Sequence, residues 1–438
     1  MPKATVITLG CPKNTVESEY LLGMLRDDGF ELNTDINNTD VVVIHTCSFI
    51  RDARAESEKC INDVLSLKNK RDVKVYVSGC LAQLLKNDLK IKFPGIDGCA
   101  GTGALDQIPK LISGEKTLNL FSAGGLNESP GRVLSSPLPY AYLKISEGCS
   151  HRCSFCIIPG LRGRYKSRDI DSLADEASAL AESGIKELIL VAQDTTGYGS
   201  DIYGAFSLDK LLAKLSKIKG LKWIRLLYAY PSSVTDELID VMKEHKNICA
   251  YMDMPIQHVS RSVLSAMKRP LDAKETVARI KERFPEIVLR TSLITGFPGE
   301  TNKDIKELED FLRRGYFRYA GVFEYSDQEH AVSSKLKGHV GAKAAGERKA
   351  RLERIQSEVF NSQITGLKGS KIEFMAEKCV KFGKKYLISG RTAFQAPEID
   401  GCAVAVSSEP LSCGKFYKGI ITGNEGYEIQ VKCNGIIA

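Results

Sequence analysis

Long apolar runs are missing from this sequence: none approaches the ~20 residues that a membrane-spanning helix needs. The N-terminal segment MPKATVITLG is typical of an opening β-strand rather than of a signal peptide. Blocks of like charge are missing as well, since 61 Lys and Arg side chains are interleaved with 54 Asp and Glu, for a net charge of +7. This mild excess permits a nucleic-acid partner without arguing for one. We therefore expect a cytoplasmic protein that makes no contact with a membrane.

Cysteine, in contrast, is abundant, with 13 residues in a chain of 438. The number is odd, so complete pairing into disulfides is impossible. Cysteines at motif spacing in a reducing compartment are more often metal ligands or catalytic groups than halves of disulfides. The composition therefore predicts reduced thiols with a chemical task.

The length indicates two or three domains, and the chain has no internal repeat or low-complexity tract. Residues 1–121 alternate short apolar runs with amphipathic helical stretches, which predicts an α/β domain on a parallel sheet. Residues 122–139 are rich in Gly, Ser and Pro and predict a linker.

From residue 140 to residue 370 the same alternation returns. Six apolar runs are candidate strands: AYLKIS, ELILVAQ, WIRLLYA, AYMDMPIQ, IVLRTSLITG and AGVFEYS. With helices between them they predict a partial (β/α)6 barrel, whose chemistry should lie at the C-terminal strand ends. A charged helix, GERKARLERIQSEVF, ends this part, and residues 371–438 show short alternating strands typical of a small all-β barrel.

Three cysteines stand close together in SEGCSHRCSFCIIPG: Cys149, Cys153 and Cys156. No fourth Cys or His follows at a usable spacing, although a structural zinc site needs four ligands. Thiolates are the usual ligands of iron–sulfur clusters, and three of them can leave one iron of a 4Fe–4S cluster open for a substrate's amino and carboxylate groups. A zinc loop that takes His151 as a ligand is the alternative.

The pattern Cys-x-x-x-Cys-x-aromatic-Cys, with Phe155 as the aromatic residue, resembles that of radical S-adenosylmethionine (SAM) enzymes. The resemblance implies the partial barrel, SAM on the open iron and a 5′-deoxyadenosyl radical. It also implies SAM contacts at strand ends, and the residues expected there are Phe155, Gln193, Gln257, Gly296 and Gly299, with Asp194 placed beside Gln193. Without the resemblance, Gly296 and Gly299 are ordinary turn glycines.

A second set of cysteines consists of Cys11, Cys47 and Cys80, each of which follows an apolar strand by one to three residues. Parallel strands of one sheet end along one edge, so we expect these thiols to converge on a shared metal site. The alternative is that they are small buried residues that cap core strands. Cys99 could follow a fourth strand and supply a fourth thiolate, whereas Cys60 lies within a predicted helix and is expected to pack.

Together these features resemble the methylthiotransferase family over nearly the whole chain. The resemblance implies an N-terminal methylthiotransferase domain with an auxiliary cluster (1–121), a radical SAM domain (140–370) and a TRAM-like β-barrel (371–438). It implies two 4Fe–4S clusters, two SAM molecules and a single-electron donor of the flavodoxin or ferredoxin kind. Four segments resemble the type that modifies the β-carbon of an aspartate in protein twelve of the small ribosomal subunit: TLGCPKNTVESE, LVAQDTTGYG, MPIQHVS and RTAFQAPEIDG.

Candidate substrate contacts lie in two places. The run LRGRYKSR puts Arg162 and Arg164 just past the cysteine loop, where an Arg fork would match a carboxylate of SAM or of the target; a solvated face is the alternative. Glu398 and Asp400 lie on a presumed loop of the terminal barrel, where they could meet a basic ribosomal protein or be turn residues only.

Three functions stay open on the sequence. The first is methylthiotransfer to the ribosomal aspartate, with nucleic-acid contact only through the ribosome. The second is the same chemistry on an adenosine of transfer RNA, for which Gln rather than Pro12 usually follows the first cysteine. The third is a non-catalytic metal-bearing module that binds RNA or ribosomes. The terminal barrel has nine Lys and Arg against seven Asp and Glu, a weak footprint for RNA binding.

Overall fold

Three main β-sheets follow one another along the chain in the computed structural model, which describes residues 1–117, 119–126, 131–136 and 139–436. Two are open parallel sheets and the third is a closed barrel, so the predicted fold class is confirmed. Residues 127–130 and 137–138 of the predicted linker lie outside the described part of the chain. No helix in the described part is both long and apolar enough to span a membrane.

The N-terminal sheet has five parallel strands in the order β2-β1-β3-β4-β5. Its strands are β1 (Lys3–Thr8), β2 (Glu31–Leu32), β3 (Val41–Thr46), β4 (Lys74–Gly79) and β5 (Gly98–Ala100). Its helices are α1 (Pro12–Asp27), α2 (Arg51–Lys68), α3 (Cys80–Leu85), α4 (Asp88–Lys92) and α5 (Gln107–Ser113). Every residue of β3 is buried, as expected for a central parallel strand covered on both faces.

The central sheet has six parallel strands in the order β13-β12-β11-β10-β9-β6, and it stays open between its two outer strands. Its strands are β6 (Tyr140–Lys144), β9 (Glu187–Val191), β10 (Trp223–Leu226), β11 (Ile248–Asp253), β12 (Val288–Thr295) and β13 (Phe317–Glu324). A separate two-stranded ribbon is formed by β7 (Ser146–Glu147) and β8 (Lys166–Ser167). The partial barrel predicted from the six apolar runs is therefore present.

In the described part of the chain, seven helices accompany the central strands, and all except α6 pack apolar residues on the outer side of the sheet; α6 instead packs Leu161 near Cys80. They are α6 (Ile158–Arg162), α7 (Ile170–Glu182), α8 (Leu208–Leu215), α9 (Asp236–Glu244), α10 (Arg261–Ala266), α11 (Ala273–Arg283) and α12 (Asn302–Leu312). Strand residues alternate between the two faces: Leu143 packs in the helix-side core, whereas Tyr142 joins the core on the inner face. Helix α13 (Ala342–Gly366) then runs along β13 and α12 toward the C-terminal barrel.

The C-terminal barrel closes in the order β14-β15-β16-β18-β17 and so leaves no free strand edge. Its strands are β14 (Lys371–Phe382), β15 (Lys385–Thr392), β16 (Ala403–Ser407), β17 (Phe416–Glu425) and β18 (Glu428–Ile436). All its pairings are antiparallel except that of β16 with β18.

The barrel covers the inner face of the central sheet near the beginnings of the strands. Trp223, the first residue of β10, meets Phe416 edge to face with ring centroids 4.9 Å apart. Glu187, the first residue of β9, accepts a 2.5 Å hydrogen bond from Arg391. The space enclosed by the curved central sheet is called the lumen. Because the C-terminal barrel fills the lumen where the strands begin, its open part lies toward the C-terminal strand ends.

Asp400 belongs to this junction, and the expectation that it meets a partner is wrong. Its side chain is 2% exposed, accepts a 2.5 Å hydrogen bond from the Tyr251 hydroxyl and pairs with Arg290 at 3.1 Å. A carboxylate that is buried and paired in this way holds two domains together. The neighbouring Glu398 is exposed, as predicted for a loop residue.

Candidate active site with two cysteine triads

Cys11, Cys47 and Cys80, called the strand triad, converge at the C-terminal edge of the N-terminal sheet. Thr46 of β3 pairs with Gly79 of β4, so the cysteines that follow them lie at the same level. Gly10 turns the chain after β1 with φ +96°, and a Cβ there would lie 2.9 Å from the Cys47 Sγ. A side chain at this position is excluded, and the close approach brings Cys11 next to Cys47.

The thiols of the strand triad differ in their electrostatic surroundings. Burial raises the pKa of Cys80 to about 12 and also raises the pKa of Cys47. Burial acts on Cys11 in the same direction, but Lys13, Arg162 and backbone amide hydrogen bonds together outweigh it, so the Cys11 pKa lies below its usual value. Nearby cations and backbone amides therefore favour the thiolate form of Cys11 within the strand triad.

Cys99 does not belong to this edge. It lies within β5, where it pairs with Val77, and packs in the apolar cluster between the sheet and α2. The expectation that it follows a strand end is therefore wrong, because the strand continues past it to Ala100. Cys60, on α2, packs partly buried against the same cluster.

Cys149, Cys153 and Cys156, called the loop triad, lie between β7 and α6, at the C-terminal side of the central sheet. The Cys149 amide donates to the Gly163 carbonyl at 3.1 Å, and the Cys156 amide donates to the Cys153 carbonyl at 3.1 Å. Burial raises the pKa of Cys149 to about 11 and that of Cys156 to about 12, with further contributions from the neighbouring thiols. All three side chains remain partly exposed.

His151 is turned away from any role as a fourth ligand. Its Nε2 lies 2.7 Å from Asp194, and its ring stacks on Tyr230 at 3.6 Å with an interplanar angle of 8°. In the described residues, no group of three or more Cys, His, Asp or Glu side chains is arranged to hold a single metal ion. The His151–Asp194 contact ties the cysteine loop to the end of β9.

A cation that the sequence did not reveal lies beside the loop triad. The Arg269 guanidinium is 3.9 Å from the Cys153 Sγ and 4.2 Å from the centroid of the Tyr230 ring, and it donates to the Pro255 carbonyl. Arg269 lies 116 positions beyond Cys153 in the chain, so no local pattern connects the two. The only indication in the sequence is that Arg269 lies just after α10, the helix that follows β11.

A buried ion cluster of Glu17, Lys144, Glu147 and Arg162 lies between the triads. Arg162 is 1% exposed and is 2.7 Å from Glu17 and 3.0 Å from Glu147. Lys144 bridges the same two carboxylates at 2.8 and 3.0 Å. The prediction that Arg162 holds a substrate carboxylate is therefore wrong, because its charge is already matched inside the protein. Arg164, two residues later, is exposed and free of that cluster.

The predicted cofactor residues lie in loops on the C-terminal side of the central sheet. Gln193 donates from Nε2 to Glu147 at 2.9 Å, while its Oε1 is buried and finds no hydrogen-bond partner among the residues that the structure describes. Gln257 has φ +69° and bridges to Leu293 of β12. Gly296 is required by packing, since a Cβ there would lie 2.7 Å from the Ala345 Cβ of α13. Phe155 packs with Phe297 beside the cysteine loop.

Gly299 has φ +85° and open space around it, so only its backbone conformation favours glycine. The next residue, Glu300, accepts from the Gly296 amide at 2.9 Å and from Arg348 of α13 at 2.7 Å. These contacts hold the TGFPGET loop against α13. The contacts of this loop with SAM stay a prediction.

Three family models match the chain in succession: the uncharacterized protein family UPF0004 over residues 3–101, the radical SAM superfamily over residues 143–312 and the TRAM domain over residues 369–433. Ribosomal protein uS12 methylthiotransferase RimO of Endomicrobium trichonymphae is 61% identical over 432 residues, which cover 98% of each chain. The protein of the same name from Desulforamulus reducens is 40% identical and covers 98% of this chain and 99% of its own. This chain belongs to the RimO family.

As a member of the RimO family, the chain is a radical SAM methylthiotransferase, and the superfamily implies a 4Fe–4S cluster and SAM as its cofactors. The solved structure of the radical SAM methyltransferase TsrM from Kitasatospora setae, with cobalamin and a [4Fe-4S] cluster bound, is similar in fold with a TM-score of 0.56. It is 16% identical and covers 76% of this chain and 74% of its own. The likeness concerns the fold alone.

Both triads of this RimO relative fit iron–sulfur clusters by their donor chemistry. All six cysteines are free, and each triad has a cation beside its thiols: Lys13 at the strand triad and Arg269 at the loop triad. A cubane cluster needs one thiolate at each protein-bound iron, and a positive charge nearby offsets the negative charge that thiolates bring. Each triad would thus provide three ligands, one fewer than the four irons of a cubane.

Proposed function

We propose that this chain replaces a C–H hydrogen on the β-carbon of an aspartate in ribosomal protein uS12 with a methylthio group, using two 4Fe–4S clusters and two SAM molecules. The observation that carries the proposal is the pair of three-thiol sets, each at the C-terminal edge of its own parallel sheet and joined through one buried ion cluster. The relatives named for this activity match the chain from end to end.

In this proposal the loop triad holds the cluster that binds SAM, and the strand triad holds the auxiliary cluster. The work is divided among the predicted segments: 1–121 for the auxiliary cluster, 140–370 for the radical SAM domain and 371–438 for the TRAM-like barrel. Phe155, Gln193, Gln257, Gly296 and Gly299 line the place of SAM. When bound, the clusters and SAM supply an electron, a radical that removes hydrogen from carbon, and the methylthio group.

The protein's own side chains hold the two triads in register with each other. Glu17 of α1 and Glu147 of β7 share the same two cations, so the first helix of the N-terminal domain is fixed to the strand that leads into the cysteine loop. Buried charges that are fully paired keep one geometry, because any shift leaves a charge without its partner. The ion cluster therefore ties the N-terminal domain to the cysteine loop.

Exclusion of water is the second contribution of the fold. The C-terminal barrel closes the lumen at the beginnings of the central strands through Asp400, Arg391 and Phe416. The N-terminal domain covers another side of the lumen with the first turn of α1. A radical formed in the lumen is then separated from solvent, which prevents its loss in side reactions. A substrate segment has to enter on the C-terminal side of the central sheet, where Arg164 is exposed.

The substrate is tested by deleting the gene in its host and analysing small-subunit ribosomal proteins and digested transfer RNA by mass spectrometry. We expect uS12 to lose a methylthio mass on one aspartate and transfer RNA to keep its methylthio-adenosine. Plasmid-borne wild type should restore the mass, whereas Cys47→Ala and Cys153→Ala should not. Loss of the modified adenosine with uS12 unchanged would contradict the proposal and favour the transfer-RNA function.

A further inference from the structure

Lys13 is a buried cation without a carboxylate partner among the described residues. Its side chain is 8% exposed, and its Nζ donates one hydrogen bond, at 3.3 Å, to the carbonyl oxygen of Ala192. An ammonium group has three donors, and its burial is costly when no negative charge lies nearby. Lys13 therefore keeps unused donors and has no carboxylate to match its charge, although it also acts on the Cys11 thiol two positions earlier.

Other buried cations of the lumen have their carboxylates. Lys144 is shared by Glu17 and Glu147 at 2.8 and 3.0 Å. Arg290 pairs with Asp253 at 2.8 Å and with Asp400 at 3.1 Å. Lys13 differs from both, although it is buried almost as completely.

Lys13 lies at the boundary between the N-terminal sheet and the central sheet. It follows the strand-triad residue Cys11 by two positions on the first turn of α1. Its Nζ reaches across to Ala192, the residue directly after β9, and lies 4.4 Å from the centroid of the Tyr228 ring. The ammonium thus lies between the strand triad and the C-terminal edge of the central sheet.

The Lys13 ammonium group lies against the ring of Tyr228. The φ of Tyr228, +61°, is in the left-handed region, which a tyrosine rarely adopts and which clusters at functional sites. The titratable groups near its hydroxyl include Cys11 of the strand triad and Glu398 of the barrel loop, together with Asp253 and Arg290. A cation over this ring is in reach of a ligand that enters the lumen.

We propose that Lys13 is the specificity-determining residue that binds the side-chain carboxylate of the target aspartate beside the strand triad. The proposal rests on the function proposed above and names the contact that makes an aspartate the substrate. The β-carbon of an aspartate is one bond from its carboxylate carbon. A carboxylate fixed by Lys13 therefore holds the reacting carbon next to the triad from which the methylthio group is delivered.

The test compares two peptides that span the target aspartate of uS12, one with Asp and one with Asn at that position. Binding and methylthiolation are measured with the anaerobically reconstituted full-length enzyme. A charge-assisted hydrogen bond predicts that the unsubstituted enzyme favours the Asp peptide by roughly 10- to 100-fold. Lys13→Met, which keeps the length of the side chain and removes its charge, should bring this ratio close to one.

Two further variants make the test specific. Lys13→Arg keeps the charge and should keep the preference for Asp. Lys59→Met removes a lysine that is 79% exposed on α2 and should leave the ratio unchanged. Iron content and SAM cleavage without peptide are measured for each variant, and Lys13→Gln replaces Lys13→Met if the latter does not retain its iron.

The outcomes distinguish failure of the proposed role of Lys13 from failure of the proposed function. An Asp-to-Asn ratio that stays the same in the neutral variant would overturn the role of Lys13 and leave the proposed function intact. This result, accompanied by changed spectra of the strand-triad cluster, would mean that Lys13 only offsets the charge of the thiolates. If the unsubstituted enzyme neither binds nor modifies the Asp peptide, the proposed function fails and the role of Lys13 fails with it.

Discussion

The two triads each consist of three free cysteines but are built in opposite ways. The loop triad lies in eight consecutive residues of one turn, whereas the strand triad takes one cysteine from each of three strand ends and spans residues 11 to 80. The loop triad depends on local hydrogen bonds, such as that of the Cys149 amide to Gly163. The strand triad depends on the register of a whole sheet. The first is therefore a local motif, and the second exists only after the domain has folded.

Removal of one cysteine from each triad should separate their tasks, and this is the largest effect that we expect. Cys153→Ala should abolish formation of 5′-deoxyadenosine, because the loop triad is proposed to hold the SAM cluster. Cys47→Ala should keep SAM cleavage and lose the methylthio product. Anaerobic iron analysis should fall from about eight to about four irons per chain in each variant.

Cys60→Ala is the matched control for these variants, since Cys60 packs on α2 outside both triads. It should retain its iron and its activity. If Cys47→Ala also lost SAM cleavage, the two triads would not be separable in function and the comparison would fail. Stoichiometric zinc in place of iron would favour a non-catalytic module.

The ion cluster connects the triads, and its loss should be the next largest effect. Glu17→Gln leaves Lys144 and Arg162 with one carboxylate for two cations. Breaking a buried ion pair at one partner costs about 3–5 kcal/mol of folding free energy. Thermal and urea unfolding should show this loss, and the strand triad should retain less iron than the loop triad because Glu17 lies on the helix that follows Cys11.

Arg164→Ala provides the contrast within the same run of cations. Arg164 is exposed, so its removal should change stability by no more than about 0.5 kcal/mol. Equal stability losses in Glu17→Gln and Arg164→Ala would show that the buried cluster does not hold the domains together. Reduced turnover in Arg164→Ala, with unchanged stability, would support the predicted contact with a carboxylate.

The difference between the triads also explains what the sequence could reveal. The loop triad is visible as spacing alone, and the convergence of Cys11, Cys47 and Cys80 follows from the rule that parallel strands end along one edge. The six strands of the central sheet follow from apolar runs in the same way. These features depend on local pattern and on general rules of topology.

Pairing partners across the fold were outside the reach of the sequence. Arg162 and Arg164 look alike in LRGRYKSR, yet one is buried on Glu17 and the other is exposed. The segment around Asp400 is typical of a surface turn, and only the docking of the barrel buries its carboxylate against Tyr251. Contacts between residues more than one hundred positions apart decide such cases, and no window of the sequence contains both members.

A histidine on the loop-triad side should give a smaller effect that depends on pH. Burial lowers the pKa of His258 to about 4, against the influence of Asp304, which acts to raise it; Arg348 acts in the same direction as burial. Between pH 6.5 and 4 the unfolded chain binds a proton there that the folded chain does not. Stability contributed by the neutral histidine is therefore present above pH 6.5 and is lost as the pH falls toward 4.

Between pH 6.5 and 4, His258 should lower the free energy of unfolding by about 3 kcal/mol in total. His258→Gln cannot titrate, so its unfolding free energy should fall less steeply between pH 6.5 and 4 than that of the unsubstituted protein. His330→Gln, at an exposed position, should leave the slope as it is. Identical slopes in all three proteins would show that His258 is hydrated and protonates in the folded state.

The smallest effect is expected at Glu398, which is exposed on the barrel loop beside Tyr140 and acts on Tyr228 next to the strand triad. If it meets a basic segment of uS12, Glu398→Gln should weaken binding by only a few-fold, because exposed ion pairs contribute about 0.2–1 kcal/mol. Added salt should remove the difference between variant and unsubstituted enzyme, since screening acts on exposed charges. Glu409→Gln, an exposed carboxylate elsewhere on the barrel, should bind as the unsubstituted enzyme does. A salt-independent loss in Glu398→Gln would instead trace the effect to the contact of the carboxylate with the Tyr140 hydroxyl.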